Sequence, residues 1–279
     1  ERIALPGLAL LDEGIESILS TSSDSPVEIY REALDLSRFN SGDYLQQTAD
    51  YLRLKYQNRK VDAVIPLMGP SLDFLLRTAE SVFPGAAIVF CGIDRRELAG
   101  RTLSRDVTGV LLKRDFAPTL EVALKLHPNT ERVIVVAGAS EFDTRVLEQV
   151  RSDLEPYASD VELTYLTTLP FPSLLEELSR LPSSSIVLYS TFFRDAAGDA
   201  FVPHEAVEQI SRAASVPVYG FVDQYLGRGI AGGYLDSLNE HGSQAGRLTR
   251  RVLAGEAPSS IPYIEESASK MLFAARQLE

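Results

Sequence analysis

Eight short β-rich runs alternate with longer stretches of helical spacing along this chain, and the alternation leaves few architectures open. The runs are "VEIYREALD" from Val27, "VDAVIPL" from Val61, "AAIVFCG" from Ala86, "TGVLL" from Thr108, "RVIVVAG" from Arg132, "VELTYLT" from Val161, "SIVLYST" from Ser185 and "PVYGF" from Pro217. Most are continuous Val/Ile/Leu segments, as strands covered on both faces require, and strand–helix alternation predicts βαβ units around a parallel sheet. Between them Leu147, Val150 and Leu154, then Leu174, Leu175, Leu178 and Leu181, then Val207, Ile210 and Ala214 form apolar helical stripes that face a core. With 279 residues, 45% of them apolar, the chain can bury a large core. Its length lies between the priors for one domain and two, and we expect two lobes.

Local signals fix some boundaries. Ser237-Leu238-Asn239-Glu240 reads as a capping box, and the helix it opens ends at Gly255 with Pro258 just beyond. The beginning is irregular. A helical stretch from Leu8 to Ser20 precedes the first strand candidate, whereas a doubly wound lobe starts with a strand. A strand before Glu1 is therefore expected to be missing, leaving a gap whose backbone groups something must cover.

Composition excludes several classes. The formal net charge is −12 and the three histidines are scattered, which disfavours nucleic acid as a partner. A single cysteine, Cys91, supports neither a disulfide framework nor a Cys-rich zinc site. No apolar run approaches the roughly 18 residues of a membrane span, and Glu1 opens neither a basic n-region nor an h-region, so the chain reads as a soluble, excised or mature segment. H-E-x-x-H, G-x-S-x-G and the P-loop pattern are all missing. No metal, no cofactor and no catalytic residue is expected. "GRGIAGG" (227–233) carries only a G-x-G and reads better as permissive backbone at a lobe crossing than as a phosphate cradle. His127 and His204 read as structural, and His241, beside Glu240, lacks a nucleophile to serve.

In open α/β sheets ligands bind beyond the carboxyl ends of the strands. Small, hydroxylated and aromatic residues recur there, as in 68–71, 91–94, 138–142, 167–171, 190–193 and 221–225. Gly69-Pro70-Ser71 suits a helix start whose free amides could face an anion, or an ordinary strand-to-helix turn. Of Phe192 and Phe193, one ring can close the core while the other faces a ligand. Arg194 and Asp195 fit a local pair or a cap on the next helix.

Several segments together carry a resemblance: "EIYREALDLSRF", "YLRLKY" before "VDAVIPLMGPSLDFLL", "FPGAAIVFCGI", "VTGVLLKRDFAPTLEVALKLHPNTERVIVVAG" and "VPVYGFVDQYLGRGIAGG". Across nearly its whole length the chain resembles the ABC-transporter substrate-binding family of type I periplasmic binding proteins. Within that family it is most similar to the extracytoplasmic sensor regions of bacterial membrane histidine kinases. The resemblance implies an α/β fold of two doubly wound parallel-sheet lobes joined by crossing strands, the first lacking its opening strand. Residues 1–110 with 237–258 would form one lobe and 111–236 with 259–279 the other, with crossings near 108–111, 232–236 and 260–264. It further implies a periplasmic location, a small-molecule ligand such as an amino acid or an aromatic or organic acid, and membrane attachment only through flanking segments. "MLFAARQLE" would be the last segment before that link, and a homodimer is compatible with it. Carried over by position, the ligand-binding residues are Leu5, Pro6, Gly69, Pro70, Ser71, Gly92, Ile93, Ser140, Phe142, Thr167, Ser190, Thr191, Phe192, Phe193, Phe221, Asp223 and Tyr234. A sensor role is the leading expectation. An importer's solute receptor comes next, an α/β enzyme after it, and a transcription regulator last. On this reading Phe192→Ala weakens binding without unfolding the protein.

Overall fold

The computed structural model describes residues 6–21, 26–36, 39–103, 106–265 and 268–274. The chain forms two compact units, Glu1–Arg114 with Leu238–Ala268 (unit 1) and Asp115–Ser237 with Ser269–Glu279 (unit 2). It therefore passes between them after residues 114, 237 and 268. Residues 108–111, expected at a crossing, lie inside the unit 1 sheet, and residues 232–236 inside the unit 2 sheet. Residues 259–268, expected in the second lobe, fall in unit 1, where Ile264 bridges Val110 and the Thr108 hydroxyl donates to the Ile261 carbonyl at 3.0 Å.

Unit 1 contains α1 (Pro6–Leu19), α2 (Gly42–Tyr56), β1 (Ala63–Val64), α3 (Gly69–Val82), β2 (Ala87–Ile93), α4 (Arg95–Leu98) and β3 (Val107–Leu111), joined later in the chain by α9 (Leu238–Leu253). The three strands pair in parallel in the order β1-β2-β3. Because successive strand side chains point to opposite faces, Ile88 and Phe90 enter the cluster under α2 and α3, whereas Val89 and Cys91 enter the one under α1 and α9. The helices α1 and α9 meet backbone to backbone. A β-carbon on Gly14 would stand 2.0 Å from the Asn239 carbonyl oxygen, and one on Gly242 would stand 2.0 Å from that of Leu11.

The run from Val27 is not a strand. Residues 26–35 form neither helix nor strand and pair with no ladder among the described residues. Arg31 reaches Asp12 at 2.7 Å and Glu16 at 2.8 Å on α1, Tyr30 packs edge-on against Tyr56, and Val27 and Ile29 rest on the α1/α9 cluster. Lying with one side on an apolar surface produces the same period-2 pattern as a half-buried strand. The expected strand before Glu1 lies outside the described residues.

Unit 2 contains α5 (Ala117–Leu126), β4 (Arg132–Val136), α6 (Glu141–Leu154), β5 (Glu162–Leu166), α7 (Phe171–Leu178), β6 (Ser185–Tyr189), α8 (Pro203–Ala213), β7 (Val218–Tyr219), β8 (Gly232–Asp236) and β9 (Ser269–Phe273). The sheet order is β5-β4-β6-β7-β8-β9, parallel except for β9, which runs antiparallel to β8. Val133, Val135, Ile186 and Leu188 pack toward α5 and α6, and Ile134, Val136, Val187 and Tyr189 toward α7 and α8. This is the both-faces coverage that the continuous apolar runs require. Gly232 and Gly233 belong to this sheet rather than to a loose crossing, and a β-carbon on Gly233 would stand 2.4 Å from the Gly220 carbonyl oxygen.

Candidate functional site

The loops beyond the strands' carboxyl ends are fixed differently in the two units. In unit 1 the Met68 amide donates to the Cys91 carbonyl at 2.9 Å and the Leu112 amide to the Ile93 carbonyl at 2.8 Å, so three strand ends are tied together. The turn at Gly92 has φ +75°, and its N–H donates to Nε2 of the buried His241 at 3.0 Å. Burial, and then the charge of Arg114, push the His241 imidazole down to about 4, so the ring is the neutral acceptor this bond needs. Met68 has φ 70° and ψ 161°, a region nearly reserved for glycine that costs a side-chain-bearing residue about 1–3 kcal/mol. It touches Gly92, whose β-carbon would lie 3.1 Å from the Met68 sulfur. Cys91 is fully buried with its thiol pushed up to about 12, which makes it inert packing.

Gly69 is the first residue of α3, with Pro70 behind it and no side-chain cap at Met68. A helix thus starts where expected, but a β-carbon on Gly69 would lie 2.5 Å from a Glu97 carboxylate oxygen. A negative group already stands beside these amides. Gly69 is buried, Pro70 exposed and Ser71 half-buried. Ile93 is fully buried in the α2/α3 cluster, so it serves the core. Asp94 caps α4 through a capping box with Glu97. Leu5 lies outside the described residues, and Pro6 opens α1.

In unit 2 two buried carboxylates hold the loops. Asp143 accepts from the Ser140 amide at 3.1 Å and from the Phe193 amide at 3.0 Å, and so joins the loop after β4 to the loop after β6. Gly138 N–H donates to the Thr191 carbonyl at 2.8 Å and Ala139 N–H to the Arg194 carbonyl at 2.7 Å, completing that seam. Asp195 accepts from the Phe171 amide at 2.9 Å, at the start of α7, and from the amides of Ala197 and Asp199 at 3.0 and 2.9 Å. Burial pushes this carboxyl up, but the backbone donors outweigh it and leave it below its ordinary value. The cap expected on the next helix is not there: Asp195 holds the start of the preceding helix, α7, and α8 opens after Val202 with no side-chain cap.

The aromatic rings divide. Phe192 is 2% exposed and packs among Phe171 and Phe201, so it belongs to the core and not to a binding surface. Phe193 is half-buried and meets the half-buried Phe142 edge-on, with centroids 5.5 Å apart and planes at 90°. Phe221 is buried edge-on against Phe116 at 4.7 Å, again as core. Ser140 caps α6, Thr167 is half-buried after β5, and Ser190 and Thr191 are buried. The Ser190 hydroxyl has no partner among the described residues, an arrangement that costs about 1–3 kcal/mol unless a water or ligand group satisfies it. Asp223 is half-buried in the turn after β7, and Tyr234 lies within β8, its amide donating to the Thr119 hydroxyl at 2.9 Å.

Asp143, His241 and Thr119 were not expected to hold these loops and strands, and Asp195 was expected only in a local pair or as a cap on the next helix. A recess of about 430 Å3 lies at the opposite, amino-terminal end of the unit 1 sheet, lined by Asp62, Asp106, Val252 and Glu256. Asp62 is paired with Lys60 and Glu256 with Arg251, so it offers spent carboxylates rather than a site.

No family model and no curated protein matches the sequence. Solved structures do match. A ligand-free substrate-binding protein with adhesive properties from Clostridium difficile is 15% identical with TM-score 0.70, covering 98% of this chain and 90% of that one. An ABC domain in complex with L-Trp from Streptococcus pneumonia is 14% identical with TM-score 0.65, covering 99% and 90%. The fold is that of the type I periplasmic binding proteins. A sugar-binding transcriptional regulator of the LacI family from Enterococcus faecalis shares it at 16% identity and TM-score 0.54, covering 95% and 91%. The α/β class and the parallel-dominant sheets described above fit this fold, with β9 the antiparallel strand at one edge.

Proposed function

We propose that this chain is an extracytoplasmic sensor domain that binds a small molecule at its strand-end loops and passes that binding to a membrane histidine kinase. The observation that carries the binding part is the half-buried Phe142–Phe193 pair, set at the start of α6 and on the loop after β6, which the buried Asp143 ties together. Rings at the carboxyl end of a parallel sheet stand where α/β ligands bind, and a rigid loop loses little entropy on binding. An amphipathic amino acid or aromatic acid suits the pair. Its apolar part would meet the rings while its polar part would meet Ser140 or the backbone nearby.

Thermal-shift and calorimetric titration with L-tryptophan, L-phenylalanine, aromatic acids and small sugars tests the reading. A true ligand at 100 times its dissociation constant adds about 2.7 kcal/mol, and silence from the whole panel on folded protein overturns it. The substrate-binding neighbour favours a second reading, a receptor that delivers a solute to an importer. The coding sequence on either side separates the two, since sensing requires a transmembrane helix leading to a kinase.

A further inference from the structure

We propose that Asp143 is the positioning residue of the unit 2 strand-end surface, fixing Phe193 and through it the aromatic pair that a ligand would meet. The purpose of that surface rests on the function proposed above, while the positioning itself rests on geometry.

Asp143 is fully buried. Its Oδ2 accepts from the Ser140 amide at 3.1 Å and from the Phe193 amide at 3.0 Å, and Oδ1 lies 3.2 Å from the same Phe193 nitrogen. A capping box alone needs only the exchange between Ser140 and Asp143, which is present with the Asp143 amide on the Ser140 hydroxyl at 3.1 Å. Reaching a residue 50 positions away is an additional task. Two amides converge on this group, and both can only donate, so an acceptor-only carboxylate fits where an amide would turn an N–H2 toward a donor. Gly138 makes room for it, since a β-carbon there would stand 2.4 Å from Oδ2. Burial still holds the carboxyl above its ordinary value despite these bonds, so the donors do not fully offset the cost of the site.

The test uses protein labelled with 4-fluorophenylalanine at its twelve phenylalanines, with Phe→Leu variants at Phe142, Phe193, Phe171 and Phe192 assigning the first two signals and the two controls. In Asp143→Asn those two signals move while those of Phe171 and Phe192 stay in place, and an unchanged spectrum overturns the proposal. Should the variant fail to fold, amide exchange in the wild type decides: Phe193 N–H exchanges as slowly as the β6 ladder amides, and exchange at the rate of an open loop overturns the proposal. With L-tryptophan as the probe, Asp143→Asn binds roughly tenfold more weakly, and equal affinity counts against the positioning role. If the wild type binds none of the panel, the ligand reading fails and the fluorine and exchange results still judge Asp143.

Discussion

Unit 1 pins its strand-end loops with a neutral imidazole and a strained methionine, and unit 2 pins its own with two carboxylates. Both solve one problem: loops beyond a parallel sheet carry backbone donors that must be satisfied once buried. They solve it with groups of opposite electrical character. The His241 ring must stay unprotonated to accept the Gly92 N–H, whereas Asp143 and Asp195 accept best when ionised. The sheets differ as well, three strands in unit 1 among the described residues and six in unit 2. Acid and side-chain truncation should therefore act unequally on the two.

Truncation in the larger core has the largest effect. Phe192→Ala removes a ring packed against Phe171 and Phe201 and should destabilise unit 2 by about 3–5 kcal/mol, read as a lowered urea midpoint. Phe193→Ala should lose less than about 1 kcal/mol, because its ring is already half-exposed. Equal losses would erase the division of labour between neighbouring rings.

Acidification should strike unit 1 next. The His241 imidazole lies at about 4 when folded and at 6.5 when free. Between those values the unfolded chain takes up a proton that the folded chain refuses, so the stability present above pH 6.5 is lost as pH falls toward 4, by roughly 3 kcal/mol. Asp143 has the opposite sign. Its folded value is raised, so acidification through that value restores stability that ionisation had cost. Asp195, held below its ordinary value, gives up its contribution only below about pH 4. Amide exchange corrected for intrinsic rates, compared at pH 7 and pH 5, should show β2 loosening and β4 not. Parallel loosening of both sheets would break the contrast.

Asp195→Ala should cost roughly 2 kcal/mol, because it strips a charged acceptor from three amides. The amides of Phe171 and Asp199 should exchange faster while β2 is unaffected. The smallest change is a gain: Met68→Gly relieves a positive φ and should stabilise unit 1 by about 1 kcal/mol or less after its lost packing is counted, seen as a small rise in the midpoint.

These asymmetries mark how far the residues alone can be read. The runs at Val133 and Ile186 announce strands because continuous β-branched residues leave no polar face, and both pair as that pattern demands. The run at Val27 alternates equally well, yet it lies on α1, since a period of two reports one apolar side and not a hydrogen-bonded neighbour. β8 and β9 were illegible for the converse reason, one being glycine-rich and the other largely exposed. At the strand ends the loops could be located in advance, but not which ring turns inward at 192 and 193. Nor could the holding side chains be found, because a titratable group becomes a buried acceptor only when donors from distant loops converge on it. The Ser140–Asp143 spacing was a faint signal for one of them, since it matches a helix-start pattern.

The glycines that let α1 and α9 touch have a reach beyond their own contact. His241 precedes Gly242, and a single methyl at 242 would press on the Leu11 carbonyl and shift the turn of helix that carries the ring. How well Gly92 is served thus depends on a neighbour that contributes no side chain at all, and the register of two helices becomes, one residue along, the aim of an imidazole.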